Sequence, residues 1–211
     1  MDRTRLVLVA PITGPEPIDP ARLESALAGG DVAAVIIDAG DGGPETIQTL
    51  AAPMVAAAQA AGAAALLRGD SRVAGRVRAD GVHVDSGVED LSAALERFRP
   101  NGVVGAGGAT GRHQAMVLGE LDPDYVFFGR LDRPDTDAAE PAAVELATWW
   151  AELFEVPAIA LIGRDLGEAE ELAASGVEFV AARDAVWKYP DGPAAAVAAL
   201  NAAIDEGTIP A

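Results

Sequence analysis

Short apolar segments rich in β-branched residues recur roughly every 20 to 30 residues, and each is followed by a stretch of helical periodicity. Eight segments are predicted to be strands: Arg5–Ala10, Ala33–Asp38, Ala63–Arg68, Gly81–Val84, Gly102–Ala106, Asp124–Gly129, Ala158–Ile162 and Glu178–Ala182. The predicted helices are Pro20–Ala28, Pro44–Ala61, Ser71–Arg78, Val88–Phe98, Gly111–Leu118, Pro141–Phe154, Leu166–Ser175 and Pro193–Ile204. Strict alternation is typical of a parallel sheet. Eight units of about 26 residues predict one (β/α)₈ TIM-barrel domain over residues 1–211, rather than a doubly wound sheet.

Composition narrows the classes of partner and compartment. The net charge of −18 disfavours nucleic acid and anionic membranes, because phosphate groups are repelled at long range. The absence of cysteine excludes disulfides, thiolate metal sites and a cysteine nucleophile. The apolar run Leu6–Ala10 is too short for a signal peptide or a membrane span, so we expect a cytoplasmic protein.

The carboxyl ends of the predicted strands carry an excess of arginine. In a barrel these ends and the loops that follow them form the catalytic face. Arg68, Arg130, Arg164 and Arg183 each lie at or just beyond such an end. Guanidinium groups pair with phosphate or carboxylate, so an anionic ligand explains the pattern. Ion pairs with neighbouring aspartates explain it equally well, and the sequence leaves both explanations open.

A phosphate site is predicted after strands 7 and 8. In this fold those loops frequently hold phosphate through backbone amides. Gly163 allows close approach to the backbone, and Arg164 lies beside it. Ala182 and Arg183 begin the loop after strand 8, where the guanidinium could clamp the phosphate. Gly107, in the glycine-rich exit of strand 5, is a further position where a substrate could meet the backbone.

His83 is predicted to face the barrel interior. Two-residue alternation puts it on the same side of strand 4 as Asp85, so both could touch one ligand, although a hydrogen-bonded interior histidine is the simpler interpretation. His113 lies on a predicted helix and is expected at the surface. Two histidines exclude a three-histidine zinc site. Lys188 is the chain's only lysine, which disfavours a Schiff-base mechanism.

Carboxylates beyond strands 3 and 4 are candidate ligands for a hard cation. Asp70 follows strand 3, and Asp85, Glu89 and Asp90 follow strand 4. Two carboxylates suffice for Mg²⁺ when the phosphates of a substrate supply further oxygens. Helix capping is the alternative for the acidic residues of a first helical turn. The pair Trp149-Trp150 predicts either packing on the barrel or a contact within a homodimer.

Several ordered segments resemble the thiamine-phosphate synthase family. They are Gly29-Gly30, Ala79-Asp80-Gly81-Val82-His83-Val84, Val104-Gly105, Asp124-Tyr125-Val126-Phe127-Phe128-Gly129 and Pro157-Ala158-Ile159-Ala160, and they span strands 2 to 8. The resemblance implies a (β/α)₈ barrel that joins hydroxymethylpyrimidine pyrophosphate to a thiazole phosphate with Mg²⁺ and releases pyrophosphate. It implies that Gly163 and Arg183 hold the thiazole phosphate.

The family's reaction motifs are less well matched than its fold motifs. The Gln-Leu-Arg-x-Lys motif of strand 2 is replaced by the segment Val35–Gly40, which contains Asp38. The Asn-Asp after strand 3 aligns with Arg68-Gly69, which leaves Asp70 one place late as a metal ligand. Asp90 matches the family's later aspartate across a two-residue insertion. Thr136 is the remnant of a Thr-x-Thr-Lys motif that has lost its lysine.

The resemblance implies a divergent synthase in which Asp70 and Asp90 hold Mg²⁺ while Arg68 and Arg130 face the pyrophosphate. Arginine would then replace the missing lysines in stabilising the leaving group. Two alternatives remain open from the sequence: a binder or regulator of a phosphorylated metabolite, and a tautomerase or isomerase that uses His83 with Asp85. In each case we expect a small phosphorylated metabolite as the ligand.

Overall fold

The computed structural model describes residues 3–40 and 42–208 and has eight parallel strands closed into a barrel in the order β1 to β8. The strands are β1 Arg5–Pro11, β2 Ala34–Asp38, β3 Ala64–Arg68, β4 Gly81–Val84, β5 Val103–Ala106, β6 Tyr125–Phe128, β7 Ala158–Leu161 and β8 Phe179–Ala182. The helices are α1 Pro20–Leu27, α2 Pro44–Ala60, α3 Ser71–Val77, α4 Val88–Phe98, α5 Arg112–Gly119, α6 Pro141–Leu153, α7 Glu168–Ala174, α8 Asp184–Trp187 and α9 Pro193–Gly207. The predicted (β/α)₈ barrel is confirmed. The predicted domain covers residues 1–211, of which residues 1–2, 41 and 209–211 lie outside the described residues. Position 41 belongs to the loop after strand 2.

Alternation along the strands divides the apolar residues into two layers. Val7 and Val9, Tyr125 and Phe127 belong to the cluster inside the barrel. The residues between them along the strands face the helices and join the larger outer cluster. Both faces of the sheet are therefore covered, which explains why the strands are near-continuous apolar runs.

Carboxylates at the amino-terminal end of the barrel satisfy backbone amides at the start of neighbouring strands. Asp80 accepts a 2.7 Å hydrogen bond from the amide of Ala65, and Asp124 accepts one of 2.7 Å from Val104. Glu178 accepts a 2.8 Å bond from Ala158 in the same way. This face of a barrel contributes to stability rather than to catalysis. The motif aspartates Asp80 and Asp124 therefore act in the fold.

The helix layer confirms the packing interpretation for one of the two adjacent tryptophans. Trp150 is buried and stacks on Phe154, with ring centroids 3.9 Å apart, and its Nε1 donates to the carbonyl of Val156. Trp149 is half-buried, and the Arg112 guanidinium lies 4.9 Å from its ring. Within residues 3–40 and 42–208, no helix is both long and apolar enough to cross a bilayer.

Candidate active site

One layer of side chains closes the carboxyl end of the barrel, and the alternation of the strands selects its members. Five members lie two residues beyond the last interior apolar position of their strands: Asp38, Arg68, Gly129, Gly163 and Arg183. The others are His83 on β4, Asp85 just after β4 and Gly107 just after β5. The charged members end or follow β2, β3, β4 and β8, whereas glycines follow β5 to β7. This carboxyl-terminal end of the barrel, which we call the mouth, is therefore charged on one side and lined by closely packed glycines on the other.

Arg68 is held between two carboxylates at the end of β3. Its Nη1 donates to Asp38 Oδ1 at 2.7 Å, and its Nε donates to Asp85 Oδ2 at 2.8 Å. The Arg68 side chain is 18% exposed and that of Asp38 is 9% exposed. Burial alone would lower the pKa of Arg68, but the charges of Asp38 and Asp85 outweigh it and raise this pKa above its ordinary value. Arg68 is thus a fixed cation with a defined orientation.

Three cavities meet at Arg68. We name them the β1–β8 cavity of about 770 Å³, the β3–β4 cavity of about 500 Å³ and the central hollow of about 270 Å³. The first also contains Asp38, Arg183 and Trp187, and the second contains Asp70 and Asp90. A fourth space of about 300 Å³, the loop-6 cavity, borders the central hollow through Gly129 and Arg130.

His83 is buried beneath the central hollow. Its Nδ1 shares a 3.0 Å hydrogen bond with Tyr125 Oη, and the edge of its ring meets Phe127. Its Nε2 is buried without a hydrogen-bond partner, and a methyl group added at Gly107 would lie 2.8 Å from it. Burial, aided by the charge of Arg68 and opposed by the charges of Asp85 and Asp38, lowers the pKa of His83 to about 4. His83 is therefore a neutral imidazole with one free ring nitrogen at pH 7.

We expect the ring protons of His83 to titrate with a midpoint near pH 4 in an NMR titration. Because an unfolded histidine has a pKa of about 6.5, the unfolded chain gains a proton first as the pH falls, so this residue lowers the stability between about pH 6.5 and 4. His113→Gln removes the only other histidine signal and fixes the assignment. A midpoint at pH 6 or above would show that the ring is solvated.

Arg183 is buried at the end of β8 and is bound by the loop between β6 and α6. Its Nε donates to Asp135 Oδ1 at 3.1 Å, and Nη2 donates to the same oxygen. Its Nη1 donates to the carbonyl of Leu131 at 3.1 Å, and Nη2 also donates to that of Arg133 at 2.5 Å. The predicted phosphate clamp is therefore already paired with a carboxylate of the chain itself. Ala182 is buried and faces the helix layer.

The predicted glycine loop after β7 is also occupied by the chain. The amide of Gly163 donates to Glu168 Oε2 at 2.7 Å, and a methyl group at Gly163 would lie 2.5 Å from the carbonyl carbon of Ala138. The amide of Arg164 donates to the carbonyl of Thr136, and Thr136 Oγ1 donates to that of Ala138. The close approach that Gly163 permits is thus made by the loop of residues 129–140.

Arg130 is exposed at the edge of the central hollow. Its Nε donates to Asp132 Oδ1 at 2.8 Å, and Nη2 donates to Oδ2 at 2.5 Å. This hydrogen bonding raises the pKa of Arg130 and lowers that of Asp132 to about 2. Water screens this exposed pair, so the Arg130 side chain is available to a ligand.

Asp70 and Asp90 line the β3–β4 cavity from two neighbouring loops. Asp70 caps α3 by accepting a 2.8 Å bond from the amide of Arg72, and Asp90 lies in the first turn of α4. Among residues 3–40 and 42–208, no three His, Asp or Glu side chains are grouped closely enough to hold a metal ion. A pair of carboxylates at one cavity fits only a cation that takes its remaining oxygens from substrate and water.

The four arginines share the mouth only in part. Arg68 lies with Arg130 in the central hollow and with Arg183 in the β1–β8 cavity, whereas Arg164 lines neither. Each has a carboxylate partner, which for Arg164 is Asp137 at 2.6 Å. The ion pairs that the sequence suggested are therefore formed, and the anionic ligand stays a prediction.

Three residues of the mouth were not predicted. Tyr125 shares its face of β6 with Phe127, so alternation could have placed it beside His83. Asp135 lies in an irregular loop, and Glu168 begins α7, inside the predicted helix Leu166–Ser175. No periodicity connects either of these two residues to β7 or β8, so their contacts could not be predicted from the sequence.

The closed barrel and the charged residues at the carboxyl ends of its strands are typical of (β/α)₈-barrel enzymes, whose active sites lie at that end. The family model for thiamine monophosphate synthase matches residues 9–186. The chain belongs to this thiamine-phosphate synthase family.

Individual relatives agree with the family match. The chain is 34% identical to a thiamine-phosphate synthase of Hyphomonas neptunium, covering 95% of this chain and 93% of that protein. It is 36% identical to one of Rhodospirillum centenum, covering 95% and 98%. The solved thiamine phosphate pyrophosphorylase of Pyrococcus furiosus superposes with a TM-score of 0.79 over 96% of both chains, at 22% identity, and supports the fold.

Proposed function

We propose that the protein is a transferase that joins hydroxymethylpyrimidine pyrophosphate to thiazole phosphate, forming thiamine phosphate and pyrophosphate. The connected cavities carry this proposal. The β3–β4 cavity shares Arg68, His83 and Asp85 with the central hollow, and the central hollow shares Gly129 and Arg130 with the loop-6 cavity. This path has anion-binding groups at both ends and Phe127 in the middle, which suits two phosphorylated heterocycles that meet at their rings. The names of the relatives support the same reaction.

The pyrophosphate is assigned to the end that contains Arg68. Arg68 and Arg130 both border the central hollow and would face the leaving group. Asp70 and Asp90 would hold Mg²⁺, which supplies charge neutralisation to the pyrophosphate when bound. One carboxylate oxygen of Asp70 accepts a hydrogen bond from the amide of Arg72, so the other oxygen is the candidate Mg²⁺ ligand.

The thiazole phosphate is assigned to the side of β7 and β8. Thr136 and Gly163 line the loop-6 cavity, and Arg183 lies at the neighbouring β1–β8 cavity. Arg164 and Ala182 belong to the same assignment as chain neighbours of Gly163 and Arg183, whereas Gly107 lies beside His83 and Asp85 on the other side of the central hollow. The thiazole ring would then extend over Phe127 towards the pyrimidine.

Catalysis in this arrangement is positional and electrostatic. The bond between the pyrimidine methylene carbon and the pyrophosphate oxygen breaks, and the oxygen keeps the electron pair. The carboxylates of Asp38 and Asp85 stabilise the positive charge left on the pyrimidine, while Arg68 between them stabilises the departing anion. The thiazole nitrogen then forms the new carbon–nitrogen bond. His83, neutral at pH 7, adds no cation beneath the developing positive charge.

We expect this chain to restore growth without added thiamine to a bacterial strain that lacks its thiamine-phosphate synthase. The matched control is the same plasmid with Arg68→Gln, which should not restore growth. Failure of the wild-type chain at confirmed expression would contradict the proposal. Retained binding of phosphate esters in that case would favour the binder over the synthase. The cytoplasmic location and the homodimer stay predictions.

A further inference from the structure

The carboxylate of Asp135 fills a group of hydrogen-bond donors that would suit an anionic ligand. Oδ1 accepts from Nε and Nη2 of Arg183, and Oδ2 accepts from the backbone amide of Asp184 at 2.9 Å. The side chains are 3% exposed for Asp135 and 8% exposed for Arg183. A carboxylate held by a guanidinium and an amide is the arrangement in which proteins also hold phosphate oxygens. We name the Arg183 guanidinium and the Asp184 amide the anion seat.

The loop that carries Asp135 separates the cavities of the mouth. Residues 129–140 run from β6 to α6 without regular structure. Leu131 and Arg133, whose carbonyls accept from Arg183, line the β1–β8 cavity, and Arg133 also lines the loop-6 cavity. Arg183 thus holds the first half of this loop across the mouth, while Arg164 holds its second half through the carbonyl of Thr136.

We propose that Asp135 is a tethered competitor for the anion seat and determines which ligands the site accepts. A phosphate monoester carries about two negative charges at neutral pH and offers three acceptor oxygens, so it can replace the carboxylate and release the loop. A free monocarboxylate offers nothing beyond what Asp135 already provides, and it lacks the advantage of being tethered. The seat therefore selects phosphate monoesters over carboxylates. The identity of the ester, thiazole phosphate, rests on the proposed function.

The test compares Asp135→Asn with wild type by calorimetry, using inorganic phosphate, thiazole phosphate and acetate as probes. If the seat is free only about a tenth of the time, its apparent affinity is reduced about tenfold. Asp135→Asn is therefore expected to bind both phosphates about 10-fold more tightly and to gain measurable acetate binding. Glu140→Gln is the matched control, because it removes one negative charge from the end of the same loop, where Glu140 pairs with Arg133.

Hydrogen exchange of wild-type protein gives a second measurement that does not depend on a variant. Saturating phosphate is expected to increase exchange of the amides in residues 131–137, whereas acetate at the same concentration should leave it unchanged. The proposal is overturned if Asp135→Asn binds phosphate no better than Glu140→Gln, if phosphate leaves loop exchange unchanged, or if no protein binds phosphate. Neither measurement needs turnover, so a chain that fails as a synthase can still pass both.

Discussion

Replacing Arg68 by glutamine is expected to reduce kcat/KM for thiamine phosphate formation by about 100-fold or more, because the fixed cation that faces the leaving group is lost. The same change leaves Asp38 and Asp85 without their shared partner. Loss of one partner from a buried ion pair costs about 3 kcal/mol or more, so the free energy of unfolding should also fall. Steady-state kinetics and urea denaturation measure the two effects.

Two companion variants separate chemistry from stability. The double variant Arg68→Gln with Asp38→Asn removes one unpaired carboxylate and should recover part of the stability without recovering activity. Arg76→Gln is the matched single control, since Arg76 is exposed on the same helix α3 and lines none of the four cavities. We expect its kcat/KM to stay within about twofold of wild type. Wild-type kcat/KM in Arg68→Gln would remove Arg68 from the mechanism.

Replacing Gly81 by alanine is expected to lower the free energy of unfolding by about 3 kcal/mol or more. Gly81 pairs with Val103 across β4 and β5, and an added methyl group would lie 1.9 Å from the Val103 carbonyl oxygen. This neighbour is backbone within a closed barrel, so relief requires the two strands to separate. Thermal unfolding should show a decrease in Tm of roughly 6 to 12 °C for a chain of this size.

Gly75→Ala is the matched control for this substitution. Gly75 lies inside α3, and a methyl group there would meet no atom outside its own helix within 4 Å. Alanine is the better helix former by about 0.5–1 kcal/mol, so this variant should be as stable as wild type or slightly more stable. Equal unfolding free energies for Gly81→Ala and Gly75→Ala would show that β4 and β5 are less closely packed than described.

The fold could be predicted from the sequence because each strand is buried on both faces. A parallel strand buried on both faces must be a short apolar run, and the helix that follows it must carry one apolar face. The pattern of apolar residues therefore changes at every boundary between a strand and a helix. The segment Ala79–Val84 shows that a sequence motif can indicate the fold without indicating the reaction. Asp80 caps the amide of Ala65, and Gly81 makes room for β5. These residues explain the resemblance in fold without specifying the reaction.

The site could be predicted only where strand alternation reaches it. Alternation placed Arg68, His83 and Arg183 at one end of the barrel, but it contains no information on how loops cross that end. The pairing of Arg183 with Asp135 joins β8 to an irregular loop 48 positions earlier in the chain. Contacts of this kind depend on loop geometry and on the competition between ligand and protein acceptors. The arginines therefore indicate where the candidate site lies, whereas their partners in the loops could not be predicted from the sequence.

The reaction of purified protein with both substrates and Mg²⁺ tests the central claim most directly. Mass spectrometry and a pyrophosphate assay should detect thiamine phosphate and pyrophosphate in equal amounts, and only when hydroxymethylpyrimidine pyrophosphate and thiazole phosphate are both present. The absence of thiamine phosphate, in a preparation that is folded and in parallel with an active synthase, would contradict the account.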